Sequence, residues 1–145
     1  MNCLFCDNHE LEEFKIKEYN YWIVDLSINQ CFLGRCTIRL KRHLEDFFDI
    51  NEEELKEFFE ITRKVRNVIK EVFGADMFNY ATLGNLVRHV HLHLISRYSK
   101  KVHFEGYTFK NTGWGKHYRL HQKDDFKIPK EIQMAIKDRI KEKLL

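Results

Sequence analysis

The residues of this chain best equipped for chemistry lie together in Arg88-His89-Val90-His91-Leu92-His93-Leu94-Ile95, where three histidines alternate with apolar residues. In a β-strand successive side chains point to opposite faces, so this alternation places His89, His91 and His93 on one face and Val90, Leu92 and Leu94 on the other. A helix would rotate every second residue by about 200° and scatter the imidazoles. Imidazole is the side chain whose ordinary pKa lies near neutrality, so such a row can supply a nucleophile, a hydrogen-bond donor or a metal ligand.

A second group of donors opens the chain. Cys3-Leu4-Phe5-Cys6 has the spacing at which two thiolates hold one Zn²⁺ from a tight turn. A redox pair and two plain thiols are the other readings of this spacing; a redox pair calls for a preceding strand, and nothing precedes Cys3 to form one. The four cysteines, Cys3, Cys6, Cys31 and Cys36, are few for a disulfide scaffold and are expected to be reduced.

Several elements must position these groups. The chain has 145 residues, 43% of them hydrophobic, enough for one globular domain with its own core. Its net charge of +3 comes from 25 basic and 22 acidic residues, a mixed surface that excludes the concentrated basic face of a nucleic-acid binder. No run of 18 apolar residues and no signal-peptide pattern occurs, so a cytoplasmic protein with no membrane partner is expected.

Tyr19 to Asp25 and Cys36 to Leu40 read as a hairpin around the loop Leu26 to Gly34. Asn51-Glu52-Glu53-Glu54 starts a helix of about five or six turns with a capping-box pattern, and Gly74 stops it. Met77 to Leu83 reads as a strand, with Gly84 turning into the triad strand. From Lys100 to Phe126 the pattern is irregular, and His103, His117 and His121 read as scattered surface histidines. Pro129 precedes an amphipathic helix, Lys130 to Leu144, whose stripe of Ile132, Ile136, Ile140 and Leu144 must pack on the core or on a second subunit. This order makes an α+β fold around an antiparallel sheet.

His89 to Ile95 fits the signature His-φ-His-φ-His-φ-φ, with φ apolar, at every position. With the flanks Asn79-Tyr80-Ala81-Thr82-Leu83-Gly84-Asn85 and Arg97-Tyr98, the chain resembles the histidine triad (HIT) superfamily. Its small prokaryotic dinucleoside polyphosphate hydrolase-like branch is the nearest in pattern, from Cys3 to about Tyr98. The resemblance implies a sheet of about five antiparallel strands with a long central helix and a C-terminal helix. It implies one HIT-like domain over 1–145, with 99–145 a divergent C-terminal extension.

The same resemblance implies an enzyme acting at the α-phosphorus of a purine dinucleoside polyphosphate or nucleoside phosphoramidate and releasing nucleoside monophosphate. His91 would be the nucleophile, forming a nucleotidyl-histidine, with His93 and Asn85 donating to the phosphoryl oxygens. Asp25 would accept from the ribose hydroxyls, and Asn79 would bind nucleotide beside the triad. Cys3, Cys6, His43 and His89 would hold one structural zinc per chain, with no cofactor required at the chemical site. Relatives are usually homodimers, and a homodimer is expected.

Two other readings stand beside this one: a nucleotide-binding regulatory module without turnover, and a triad that itself binds a metal through His89, His91 and His93. The chain departs from the family pattern at Arg35, where many relatives have His, at Leu40, where they have Pro, and at Leu86, where they have Ser.

Overall fold

The computed structural model describes residues 3–110, 113–119 and 128–144. Its frame is set by helix α2, Glu52–Phe73, which begins in a complete capping box. The Asn51 side chain accepts from the Glu54 N–H and the Glu54 carboxylate accepts from the Asn51 N–H, both at 2.9 Å. A cap of this kind contributes about 1 kcal/mol. Gly74, at φ 74°, ends the helix in the left-handed conformation that costs glycine little. Between these limits Phe58, Ile61, Val65, Val68, Ile69 and Phe73 recur at helical spacing and are buried.

That stripe lies on one face of a sheet ordered β1-β2-β3-β5-β4, all neighbours antiparallel. The strands are β1 Lys15–Glu18, β2 Trp22–Leu26, β3 Cys36–Leu40, β4 Met77–Ala81 and β5 His91–Arg97. Trp22, Val24, Leu26, Ile38, Leu40, Leu92 and Leu94 face α2 and form the core. Trp22 also donates from its indole N–H to the Glu54 carbonyl at 2.8 Å, which satisfies its polar atom inside the core. The opposite face carries the polar alternate residues Asp25, Thr37, Arg39, His91 and His93, locked in register by the pairs Asp25 with Thr37, Thr37 with His93 and Arg39 with His91.

The sequence-predicted helices hold, and the differences lie in the strands. β1 was not anticipated, and the next strand starts at Trp22 because Tyr19 donates its N–H to the Trp22 carbonyl and turns the chain. β4 ends at Ala81 rather than Leu83. Within the irregular stretch, β6 Val102–Phe104 and β7 Tyr107–Phe109 form a hairpin whose turn places Glu105 and Gly106 at φ 49° and 77°. Helix α3, Lys130–Lys143, packs on α2 and β1, with Ile136, Ile140 and Leu144 joining the core of the same chain, the first of the two placements its stripe allowed. His121 lies outside the described residues. His103 and His117 are exposed, each bonded within its own hairpin or turn, and His117 lines a cavity with Asn79.

Candidate active site and metal centre

The triad does not act as one row. β5 starts at His91, two residues later than the alternation predicts, because the Val90 N–H goes to the Leu44 carbonyl and its carbonyl takes the Leu40 N–H. His89 is thereby placed before the strand, with its ring toward the amino-terminal cysteines. Among the described residues the cluster able to hold a metal includes His89 but neither His91 nor His93, so the three-histidine metal site is not assembled.

His89 Nδ1 lies 3.5 Å from Cys3 Sγ, 3.6 Å from Cys6 Sγ and 3.3 Å from His43 Nδ1, and Cys6 Sγ lies 3.7 Å from His43 Nδ1. Tetrahedral zinc with Zn–S near 2.3 Å and Zn–N near 2.0–2.1 Å requires donor separations of roughly 3.3–3.8 Å. Four of the six donor separations fall in that range and all four atoms lie within 4.8 Å of one another, a set that can converge on one ion. His89 Nε2 donates to the Leu40 carbonyl at 2.7 Å, which leaves Nδ1 as the free ligating atom. Burial, first among its causes, also lowers the His89 pKa and favours the neutral ligand form.

Three elements bring these donor atoms together. A single helical turn, α1 Leu4–Asp7, sets Cys3 and Cys6 on one side, with Cys3 accepting the Cys6 and Asp7 N–H groups. His43 is held through its neighbour: Arg42 forms a forked pair with Glu54 at 2.6 and 3.1 Å, so the capping residue of α2 also anchors the ligand segment. His89 comes from the approach to β5.

His91 and His93 form a separate pair, with their Nε2 atoms 3.2 Å apart. His91 is 5% exposed, and its Nδ1 lies 2.5 Å from the His89 carbonyl oxygen. A carbonyl only accepts, so Nδ1 carries the proton and Nε2 offers a lone pair. Burial is the leading cause that keeps both rings neutral; with Arg35 and His91 adding to it, His93 is pushed down to about 3. Burial and Arg35 lower His91, against the hydrogen bond to the His89 carbonyl, which raises it.

Around this pair, Arg35 places one amino group 3.1 Å from His93 Nδ1, while its Nε is buried without a hydrogen-bond partner among the described residues. Asp25 is buried on the same face and bound by Arg39 at 2.5 and 3.5 Å. Burial raises the Asp25 pKa, and the Arg39 guanidinium opposes it. Asn79 sits on β4 across from Ile95, its carbonyl oxygen accepting from Arg97 at 2.6 Å. Asn85 is exposed in the loop before the triad and lines a cavity of about 670 Å³ with Cys3, His43 and Arg88, away from the His91–His93 pair.

Phe5 and Arg39 are absent from the sequence-derived site. The Phe5 ring packs edge-on against His91 at 4.8 Å between centroids, and the Phe5 carbonyl lies 3.4 Å from an Arg39 amino group. The only sequence signal for either was position: Phe5 lies between the two cysteines, and Arg39 is an outward-alternating residue of β3.

A HIT domain model matches residues 8–100 of the chain, which belongs to the HIT family. The protein named "Protein hit" of Bacillus subtilis is 27% identical over 139 residues, spanning 91% of this chain and 88% of that protein. A hypothetical histidine triad nucleotide-binding protein from Sulfolobus tokodaii superposes with TM-score 0.69 at 23% identity, over 98% of this chain and 91% of its own. A zinc-bound histidine triad family protein from Mycobacterium smegmatis superposes with TM-score 0.66 at 19% identity, over 99% and 94%. Both structures share the fold. No helix among the described residues is long and apolar enough to cross a membrane.

Proposed function

We propose that the chain is a nucleotidyl hydrolase or transferase acting at the α-phosphorus of a purine dinucleoside polyphosphate or nucleoside phosphoramidate. The observation that carries this reading is His91 itself: a buried imidazole whose Nδ1–H is held by the His89 carbonyl, so that Nε2 carries the lone pair, shared at rest only with His93. Nε2 forms a bond to phosphorus as the bond to the leaving group breaks, and the positive charge that develops on the ring is met by the His89 carbonyl oxygen. In this reading His93 and Asn85 donate to the phosphoryl oxygens, and Asn79 binds nucleotide beside the triad. Water then cleaves the phosphorus–nitrogen bond, returns the lone pair to Nε2 and releases nucleoside monophosphate.

Purified protein is tested on a panel of such nucleotides by mass spectrometry. The expected result is release of nucleoside monophosphate, with turnover abolished in His91→Ala while affinity stays within about tenfold, a change of about 1.4 kcal/mol. His93→Ala is expected to lose roughly 10²–10³ in rate, the cost of one donor to a growing oxyanion. Label from the α-phosphate should be trapped on His91 as an acid-labile, base-stable adduct. Undiminished hydrolysis by His91→Ala overturns the mechanism.

A nucleotide-binding regulatory module is the second reading, favoured by the engagement of Asp25 with Arg39 and the exposed position of Asn85. Nucleotide binding without release of product would select it.

For the metal, the donor spacing supports one structural zinc per chain on Cys3, Cys6, His43 and His89. Zinc would close the amino terminus onto the sheet and take no part at phosphorus. A reducing cytoplasmic setting suits the thiolate ligands. Elemental analysis of wild-type protein should return one zinc per chain, and a folded metal-free wild type would remove the assignment.

For assembly, β4 is an edge strand with Met77 and Tyr80 exposed, and the exposed Phe59 of α2 lines a cleft with Tyr80. An unpaired edge flanked by apolar side chains suits an isologous homodimer. Light scattering should give twice the chain mass, and Tyr80→Asp should give monomer; a monomeric wild type decides against the dimer.

A further inference from the structure

Arg35 meets the triad with a group of fixed chemistry: a guanidinium has five N–H donors and no acceptor. Its amino group lies 3.1 Å from His93 Nδ1, so that nitrogen must offer a lone pair, and the proton of the neutral ring resides on Nε2. At the other end, the His89 carbonyl fixes the His91 proton on Nδ1 and its lone pair on Nε2. The two Nε2 atoms then meet at 3.2 Å as donor and acceptor. Both ends of the row Arg35, His93, His91 and His89 impose the same polarity.

We propose that Arg35 is a positioning residue that fixes the proton of His93 on Nε2 and so presents a hydrogen-bond donor to the phosphoryl group. The inference rests on the nucleotidyl-transfer reading above and specifies how the second triad histidine serves it. At rest the His93 N–H donates to the His91 lone pair. When that lone pair becomes the bond to phosphorus, the same N–H is released beside the phosphoryl oxygens, where negative charge is growing. An imidazole at position 35 could offer His93 either a donor or an acceptor; a guanidinium offers only a donor and keeps its proton at any working pH.

The mounting of Arg35 matches this task. The side chain is buried, with 6% exposed. Its N–H donates to the Phe32 carbonyl, and its carbonyl accepts from the Ser27 N–H and the Gln30 amide. Gln30, fully buried, also accepts from the Gly34 N–H at 2.8 Å. Gly34 has φ 84°, and a Cβ there would come within 3.0 Å of Phe73, so glycine brings the residue before Arg35 tight against α2.

The test compares wild type, Arg35→Met and Arg35→Lys by two-bond ¹H–¹⁵N correlation of the histidine rings and by steady-state kinetics. In wild type and Arg35→Lys, His93 should carry its proton on Nε2, with Nδ1 at an acceptor shift. Arg35→Met should populate the Nδ1–H form and lower kcat roughly 10- to 100-fold, no more than removal of the donor itself, with KM within about threefold. Combined with His93→Ala, Arg35→Met should add no further loss, because its effect passes through His93.

A wild-type His93 protonated on Nδ1 overturns the proposal whether or not the chain turns over nucleotides. So do additive losses with a raised KM, which would mark Arg35 as a direct phosphate contact, or an unchanged kcat in folded Arg35→Met. Absence of wild-type turnover with His93 protonated on Nε2 overturns the nucleotidyl-transfer reading and with it the role of Arg35. If Arg35→Met does not fold, Arg35→Lys and the wild-type spectrum decide the placement of the proton.

Discussion

His93 carries its neutrality as a cost in acid. Burial, then Arg35 and His91, hold its folded pKa near 3, against 6.5 for the free side chain. Between those values the unfolded chain binds the additional proton, so stability rises with pH across that window and is lost as pH falls from about 6.5 toward 3. The melting temperature should therefore drop with acid through this range, and less steeply in His93→Gln. Equal slopes in the two proteins would show that His93 is not held neutral. At this scale the sequence was legible where chemistry and spacing coincide within a few residues, as in the triad and the Cys3–Cys6 pair. It was silent on Phe5 against His91 and on Arg39 against Asp25, because those contacts join segments whose approach only the folded sheet sets.

Among the elements, the start of α2 has two tasks. Glu54 completes the capping box and, through Arg42, holds the segment that carries His43. Arg42 lowers the Glu54 pKa, so this contribution is present above the ordinary carboxylate pKa of 4.5 and disappears as pH falls through the depressed value. Glu54→Gln keeps a cap acceptor and loses the charge. It should weaken zinc retention in a chelator competition while helix content by circular dichroism stays near wild type; unchanged retention would show that Arg42 does not brace His43. Asn51, Glu54 and Gly74 made this helix readable, since caps and periodicity are local. By contrast, Lys15-Ile16-Lys17-Glu18 has a single apolar residue, and β1 forms because β2 offers it a free edge. The β6–β7 hairpin was likewise hidden, its turn relying on Glu105, a residue with no usual preference for positive φ.

For the molecule as a whole, the proposed zinc ligands connect the amino terminus to residues 43 and 89, across much of the chain. Binding energy at such a site appears as folding energy. Cys6→Ser should lower both bound zinc and the melting temperature, and a chelator should shift wild type toward the variant; a melting curve indifferent to chelator would exclude a structural ion. The α+β layout, the single central helix and the final helix were readable at this scale because each follows from hydrophobic period. The side of α3 that is covered was not, since its stripe would have served a partner as well as its own core.

The helical turn Leu4–Asp7 holds a further consequence. Cys3 and Cys6 face the metal cluster, and Phe5 between them leans on His91 and offers its carbonyl to Arg39. The short segment Cys3–Cys6 therefore supplies two of the proposed zinc ligands and also a ring packed on the proposed nucleophile. By thermodynamic reciprocity, if zinc tightens nucleotide binding by some factor, nucleotide must tighten zinc binding by the same factor. With the proposed zinc and nucleotide sites both occupied, the amino-terminal turn would make zinc and nucleotide variables of a single equilibrium.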